Sequence, residues 1–261
     1  MAPFDPQAAA QFIADAHDNK ADYCNLPGDL NPPSIADAYA GQAALAQLWS
    51  AQYGPVVGRK IATTTKVMQD LMGIDHPCGG VIHEKRVHAS PATLNPQDYI
   101  HVMVECELAV RVSRDLDGPT GSHTAASVRP AVGEIMAAFE LIEDRNAVYK
   151  DCDARTLIVD AAWNAGIVIG AARAVPADMD LNGLQGRLMV NGAVRDEGKT
   201  DDPMGALAWV ANLACEHGAP LKQGMIVITG SVLATLAIQP GEDFHFELDG
   251  VGETRMTLGG S

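Results

Sequence analysis

The chain has 261 residues, 47% of them hydrophobic, and a formal net charge of −15 with no Lys/Arg cluster. That length suits one large domain, or one domain with a small appendage. The charge argues against nucleic acid and anionic membrane as partners, and it means that an anionic substrate needs a local cation.

No apolar run reaches the roughly 18 residues that span a bilayer. The N-terminal stretch MAPFDPQAAAQFIADAHDNK lacks the basic and apolar regions of a signal peptide, so a cytoplasmic protein is expected. The five cysteines form no C-x-x-C pair, and an odd count argues against a disulfide framework or a thiolate zinc site. Apart from Cys78, they read as small buried hydrophobes.

In chain order, residues 7–20 read as a helix. Residues 35–53 read as a second, with Ser34 as N-cap, an apolar stripe at Ile35, Ala38, Leu45, Leu48 and Trp49, and Gly54-Pro55 as its stop. A third covers 65–72 and ends at Gly73. Together they predict a helical N-terminal cap region over 1–75, followed by a second, larger domain over 76–261. Lys60, in VVGRKIATTTK, sits among apolar residues. If buried, it would have a depressed pKa suited to proton transfer; the alternative is a surface lysine at a strand end.

From about residue 80 the pattern turns to strands, at 100–112, 136–143, 166–171, 186–191, 193–197, 225–229, 233–238, 243–249 and 253–258. Asn191-Gly192 marks a hairpin. Helices interrupt near 124–133, where Pro130 limits the extent, and at 203–217, with Asp202 before Pro203 and Gly218 at the end. Strands in a run with helices not alternating predict an α+β fold.

The stretch VECELAV places Glu105 and Glu107 two apart in an apolar strand. With period 2, Val102, Val104, Cys106, Leu108, Val110 and Val112 share one face, and His101, Met103 and the two acids share the other. The carboxylates then lie roughly 6–7 Å apart along the strand. Glu140, in MAAFELIED, is another acid set in an apolar strand. Three carboxylates from two strands would make an oxygen-only site suited to Mg²⁺ or Mn²⁺; otherwise both strands simply turn acids to water. GMIVITGS, Gly224 to Ser231, is a buried strand that breaks into Thr-Gly-Ser, which is either a ligand contact or a plain turn. HEKRVH spaces its histidines by five, wrong for a zinc helix, and there is no phosphate-binding glycine loop and no serine nucleophile elbow.

The segments VVGRKIATTTKVMQDLMGID, VECELAVRVSRDL, AAFELIEDR and GMIVITG together resemble the fumarylacetoacetate hydrolase superfamily, in its 2-keto-4-pentenoate hydratase and 2-oxo-3-hexenedioate decarboxylase branch, over about residues 35 to 258. The resemblance implies a mixed β-roll, barrel-like core after a small helical region. It implies Glu105, Glu107 and Glu140 as metal ligands, Lys60 as the active-site lysine, and Thr229, Gly230 and Ser231 at the substrate-carboxylate end. It also implies a lyase for unsaturated 2-oxo or 2-hydroxy-dienoic acids of aromatic meta-cleavage catabolism, working as a homo-oligomer that can pair with a paralogous lyase.

Two departures stand out. GIDHPCGG puts Cys78 where these hydratases carry an aspartate, leaving Asp75, His76 or Cys78 itself to handle protons. DAAWNAG, Asp160 to Gly166, puts Trp163 in a segment where the family favours Asp-Asn-Ala-Ser. Hydratase chemistry leads. Decarboxylation, C–C hydrolysis of an acylpyruvate with His83-Glu84 as base, and a non-catalytic 2-oxo-acid-binding paralogue are the rivals.

Overall fold

A computed structural model describes residues 3–260. Side-chain caps set the first helices. Asp5 accepts from the Gln7 and Ala8 amides ahead of α1 (Pro6–Asp18), and Ser34 accepts from the Asp37 amide ahead of α2 (Ile35–Tyr53). After β1 (Val56–Ala62), Thr65 caps α3 (Lys66–Met72), which closes on Gly73 in the left-handed conformation. Short strands β2 (Cys78–His83), β3 (Val87–Ala89) and β4 (Ala92–Leu94) lead to the long β5 (Val102–Val112). Then come α4 (Ala125–Val128), β6 (Val132–Glu143), α5 (Ala154–Val159), β7 (Asn164–Ile169), β8 (Arg173–Ala174), β9 (Gln185–Val190) and β10 (Ala193–Lys199). The chain ends with α6 (Pro203–Glu216), β11 (Ile226–Ser231), β12 (Leu236–Ala237), β13 (Asp243–Leu248) and β14 (Gly252–Leu258). No described helix is long and apolar enough to cross a membrane.

The strands form two sheets. Nine strands make the larger, in the order β2-β1-β11-β5-β6-β7-β3, with β12 on β5 and β8 on β6. Five make the smaller, in the order β10-β9-β13-β14-β4. Pairing is mixed: β1–β11, β3–β7 and β14–β4 run parallel and the rest antiparallel. This is the expected α+β roll.

The alternation read from β5 is the one observed. Val102, Val104, Cys106, Leu108, Val110 and Val112 pack into the core that also holds Phe244 and Phe246 of the smaller sheet, with the Phe139 and Phe246 rings 6.2 Å apart. On the opposite face, Met103 and Ile142 join a second core with Ile13, Leu45, Trp49 and Trp163, built largely by α1, α2 and α5. The site lies on this second face.

Several expectations need correcting. The boundary at residue 75 does not hold, because β1 is hydrogen-bonded between β2 and β11 inside the larger sheet. Its Gly-Arg-Lys centre hid it from a hydrophobicity reading. The helix expected at 124–133 is one turn of α4 followed by a 3-10 turn over Arg129–Ala131, since Pro130 has no amide to continue it. The strand expected at 233–238 shrinks to β12, because the Ser231 hydroxyl bonds the Leu233 carbonyl and turns the chain away. Cys24 is exposed and Cys215 only partly buried.

Candidate metal and substrate site

Five neighbouring strands, β1-β11-β5-β6-β7, each contribute a residue to one site on the larger sheet. Glu105 and Glu140 are directly opposed on β5 and β6, and Glu107 pairs with Ala138 one step along. Like charges placed directly opposite repel. Carboxylate oxygens of Glu105, Glu107 and Glu140 nonetheless lie within 4.8 Å of one another. Glu107 and Glu140 are completely buried, and Glu105 is half-buried.

Each carboxylate is held at one oxygen. Glu140 Oε1 takes Lys60 Nζ at 2.5 Å and Asn164 Nδ2 at 2.8 Å. Glu107 Oε2 accepts from the Gly230 amide at 2.7 Å, and Glu105 Oε1 from the Thr235 hydroxyl at 2.5 Å. The Gly230 contact comes from a register irregularity of β11 between Ile228 and Ser231, where Gly230 has φ +106. The second oxygens, Glu107 Oε1 and Glu140 Oε2, are buried with no partner. An unpaired buried acceptor is costly, and a cation held by this trio of carboxylates would satisfy both. Hard oxygen donors of this kind suit Mg²⁺ or Mn²⁺.

The electrostatics agree. Burial raises the Glu107 carboxyl well above its ordinary range, and Glu140 and Glu105 push it further. Burial pushes Glu140 up to about 7, with Lys60 pulling the other way. For Lys60 burial would lower the pKa, but Glu140, Glu105 and Glu107 outweigh it and the value is raised. The depressed lysine pKa expected from sequence is therefore reversed, and Lys60 is an ammonium donor. Its Nζ also donates to the Ala162 carbonyl at 3.0 Å.

That carbonyl belongs to a strained turn. Ala161, Ala162 and Trp163 have φ of 49, 50 and 59, three left-handed non-glycine residues in succession. A Cβ on Gly80 would lie 2.2 Å from the Ala161 carbonyl oxygen, so only glycine fits beneath. Asp160 anchors the turn. It is buried, bonds Arg145 Nη2 at 2.7 Å and His17 Nε2 at 2.7 Å, and these two partners hold its carboxyl below the usual range against the effect of burial.

Beside these residues opens a cavity of about 400 Å³, lined by Lys60, Glu105, Gly230, Ser231 and Thr235 on the polar side and by Met68, Ile142, Leu157, Trp163 and Leu233 among others.

A sequence profile described as Fumarylacetoacetate (FAA) hydrolase C-terminal matches residues 60–258. The chain belongs to the fumarylacetoacetate hydrolase family. Among relatives within it, the 2-keto-4-pentenoate hydratase of Paraburkholderia xenovorans is 28% identical over 260 residues, covering 98% of this chain and 95% of that one. The 4-oxalocrotonate decarboxylase of Pseudomonas putida is 26% identical over 249 residues, 94% of this chain and 93% of that one. The solved structure of 4-oxalocrotonate decarboxylase from Pseudomonas putida G7, complexed with magnesium and adipate, superposes with a TM-score of 0.88 at 25% identity over 97% of each chain. These relatives are lyases.

Not every residue singled out in this family member reaches the cavity. Asp75 is exposed and lines a separate outer cleft with His76, Asp151 and Asp153, because the chain leaves α3 on the outer side. Cys78 is fully buried at the start of β2, behind Thr63, whose hydroxyl lies 3.4 Å from its sulfur; burial raises the thiol pKa. Thr229 turns its hydroxyl to the Leu108 carbonyl at 2.9 Å, away from the cavity that Gly230 and Ser231 line. His83 is buried, bonds the Gly54 carbonyl at 2.8 Å, and with Glu84 is absent from the cavity lining. Asn164 and Thr235 were missed. Asn164 is two residues from Gly166 in the segment already noted, but nothing in the sequence pairs it with Glu140.

Proposed function

We propose that the chain is a divalent-metal-dependent lyase for unsaturated 2-oxo or 2-hydroxy-dienoic acids, of the 2-keto-4-pentenoate hydratase type. The observation that carries this is the pair of unpartnered buried oxygens on Glu107 and Glu140, whose carboxylates cluster with the cavity-lining Glu105 in a chain of this family. Glu105, Glu107 and Glu140 would hold Mg²⁺ or Mn²⁺. When bound, the cation supplies a Lewis acid for the carboxylate and 2-oxygen of a 2-oxo acid, and a positive charge that a −15 protein lacks.

The chain's own residues do the rest. The Gly230 amide, the Thr235 hydroxyl and Asn164 fix the carboxylates in orientation. Lys60, buried and charged at the cavity wall, orients the reacting end and carries the proton that moves along the conjugated chain. In the hydratase reaction a proton adds at C5 and water adds at C4, giving the 4-hydroxy-2-oxo acid. Cys78 and Asp75 have no role in this reading. The likeness to the decarboxylase supports a second reading, in which a dicarboxylic substrate loses CO₂ from its far end and the electron pair of the broken C–C bond passes along the conjugated chain to the 2-oxygen.

The deciding experiment follows 2-hydroxypenta-2,4-dienoate with Mg²⁺ and Mn²⁺ and identifies the product. Formation of 4-hydroxy-2-oxopentanoate is expected, abolished by chelation. Undiminished turnover in chelator-treated protein overturns the proposal. Lys60→Met should keep metal binding and lose turnover.

A further inference from the structure

The two classes of relative differ in the far end of the substrate. The names 4-oxalocrotonate decarboxylase and 2-oxo-hept-4-ene-1,7-dioate hydratase denote dicarboxylates, whereas 2-keto-4-pentenoate is a monocarboxylate. The cavity bears on which class this chain takes. Resting on the lyase reading above, we propose that the far end of its substrate is an uncharged hydrocarbon group, so that the chain accepts monocarboxylic 2-oxo acids and discriminates against dicarboxylates of equal length.

The argument is one of charge and hydrogen-bonding capacity. Away from the carboxylate trio, the wall is Met68, Met72, Ile142, Leu157, Trp163 and Leu233. Lys60 is the single cationic side chain in the described lining, and it is spent on Glu140 at 2.5 Å. Of the lining hydroxyls, those of Thr63, Tyr149, Ser231 and Thr235 donate to acceptors within the protein, which leaves Thr64 and Thr65 as the remaining hydroxyl donors. The adjoining outer cleft, which shares Met72, does contain Lys66 and Arg155. Lys66 is paired with Asp70 at 2.7 Å, and Arg155 with Asp153 at 2.5 Å. A second carboxylate would therefore lose water beside thioether, aliphatic and indole surface with no counter-charge and few free donors, whereas an alkyl end gains by burial there. Trp163 reaches this wall only because the left-handed turn from Ala161 carries it there, and its Nε1 is buried without a partner.

The test compares two saturated 2-oxo acids of equal chain length, 2-oxohexanoate and 2-oxoadipate, binding to the full chain by calorimetry with Mg²⁺. 2-Oxohexanoate is expected to bind at least about 10-fold more tightly. Met68→Arg places a guanidinium at the half-buried rim of the cavity and should narrow or invert the ratio, while Met68→Leu should preserve it. Equal or tighter binding of 2-oxoadipate to the unaltered protein overturns this proposal and leaves the lyase reading standing. An unchanged ratio in folded Met68→Arg also overturns it. Binding of neither acid overturns the lyase reading along with it. If Met68→Arg does not fold, the comparison on the unaltered protein still decides.

Discussion

Two places among the described residues bring three metal-capable side chains together. One is Glu105, Glu107 and Glu140 on β5 and β6 of the larger sheet; the other is His245, Glu247 and Glu253 on β13 and β14 of the smaller. Ligand chemistry alone does not separate them, because imidazole plus carboxylates is at least as familiar a set. Burial does. The second trio stands at the surface, where His245 Nε2 already bonds Glu253 at 2.8 Å and lies 3.6 Å from Glu247. Glu253 is held below the ordinary carboxylate range by His245 and Arg255, as a satisfied surface acid should be. In the first trio Glu107 and Glu140 are raised instead, and each keeps one oxygen without a partner. One set of charges is satisfied at the surface; the other keeps two buried carboxylate oxygens without a partner.

The largest expected effect tests that contrast directly. Glu107→Gln or Glu140→Gln should lower turnover by about 1,000-fold or more and abolish calorimetric Mg²⁺ binding, since each removes a buried anionic donor. An unaltered Mg²⁺ isotherm in either variant would break the comparison.

Next in size is Asp160→Asn, which strands Arg145 without its carboxylate partner. It should cost about 3 kcal/mol in denaturant unfolding. Because Asp160 has a folded pKa below its unfolded value, its stabilisation is present above the ordinary carboxylate range and is lost as pH falls through the folded pKa. The variant's deficit should therefore shrink in acid. A deficit that stays constant as the pH falls would show that the Asp160 charge does not anchor the turn.

Asn164→Ala sharpens the comparison from the side. It removes the 2.8 Å bond that orients Glu140, and should weaken Mg²⁺ binding by about 10–100-fold with the fold intact. The smallest effect belongs to the surface trio. Glu253→Gln should change stability by less than about 0.5 kcal/mol and leave turnover and Mg²⁺ affinity unaltered. A metal-binding loss comparable to that of Glu107→Gln would mean that burial was the wrong criterion.

Much of this was legible in the chain. Period-2 alternation put Glu105 and Glu107 on the face opposite Val104 and Cys106, because successive side chains of a strand must alternate. Ser34, Gly73 and Asn191-Gly192 marked element ends through local backbone chemistry, and both turn residues of the hairpin have positive φ. Glycine and proline positions and the spacing of apolar residues are local facts, so they survive without a fold.

Other features had no local signature. That Glu140 stands opposite Glu105 depends on the register of two strands separated by a long connection. That β1, between β2 and β11, carries Lys60 to Glu140 depends on a parallel pairing between strands far apart in the chain, Lys60 opposite Ile228. Charge at Lys60 was misread for the same reason: a lysine among apolar neighbours titrates downward alone and upward beside three carboxylates, and those carboxylates arrive only through tertiary pairing. The proximity of Asp75 and Cys78 in sequence suggested a shared proton site, yet one faces the outer cleft and the other lies behind Thr63, because helix α3 ends between Lys60 and them and sends the chain outward. Sequence alone therefore determined which residues could do chemistry and which face of a strand they occupy. Only the packed sheet decided which of them meet and which charges are left unpaired, since both depend on pairing between segments distant in the chain.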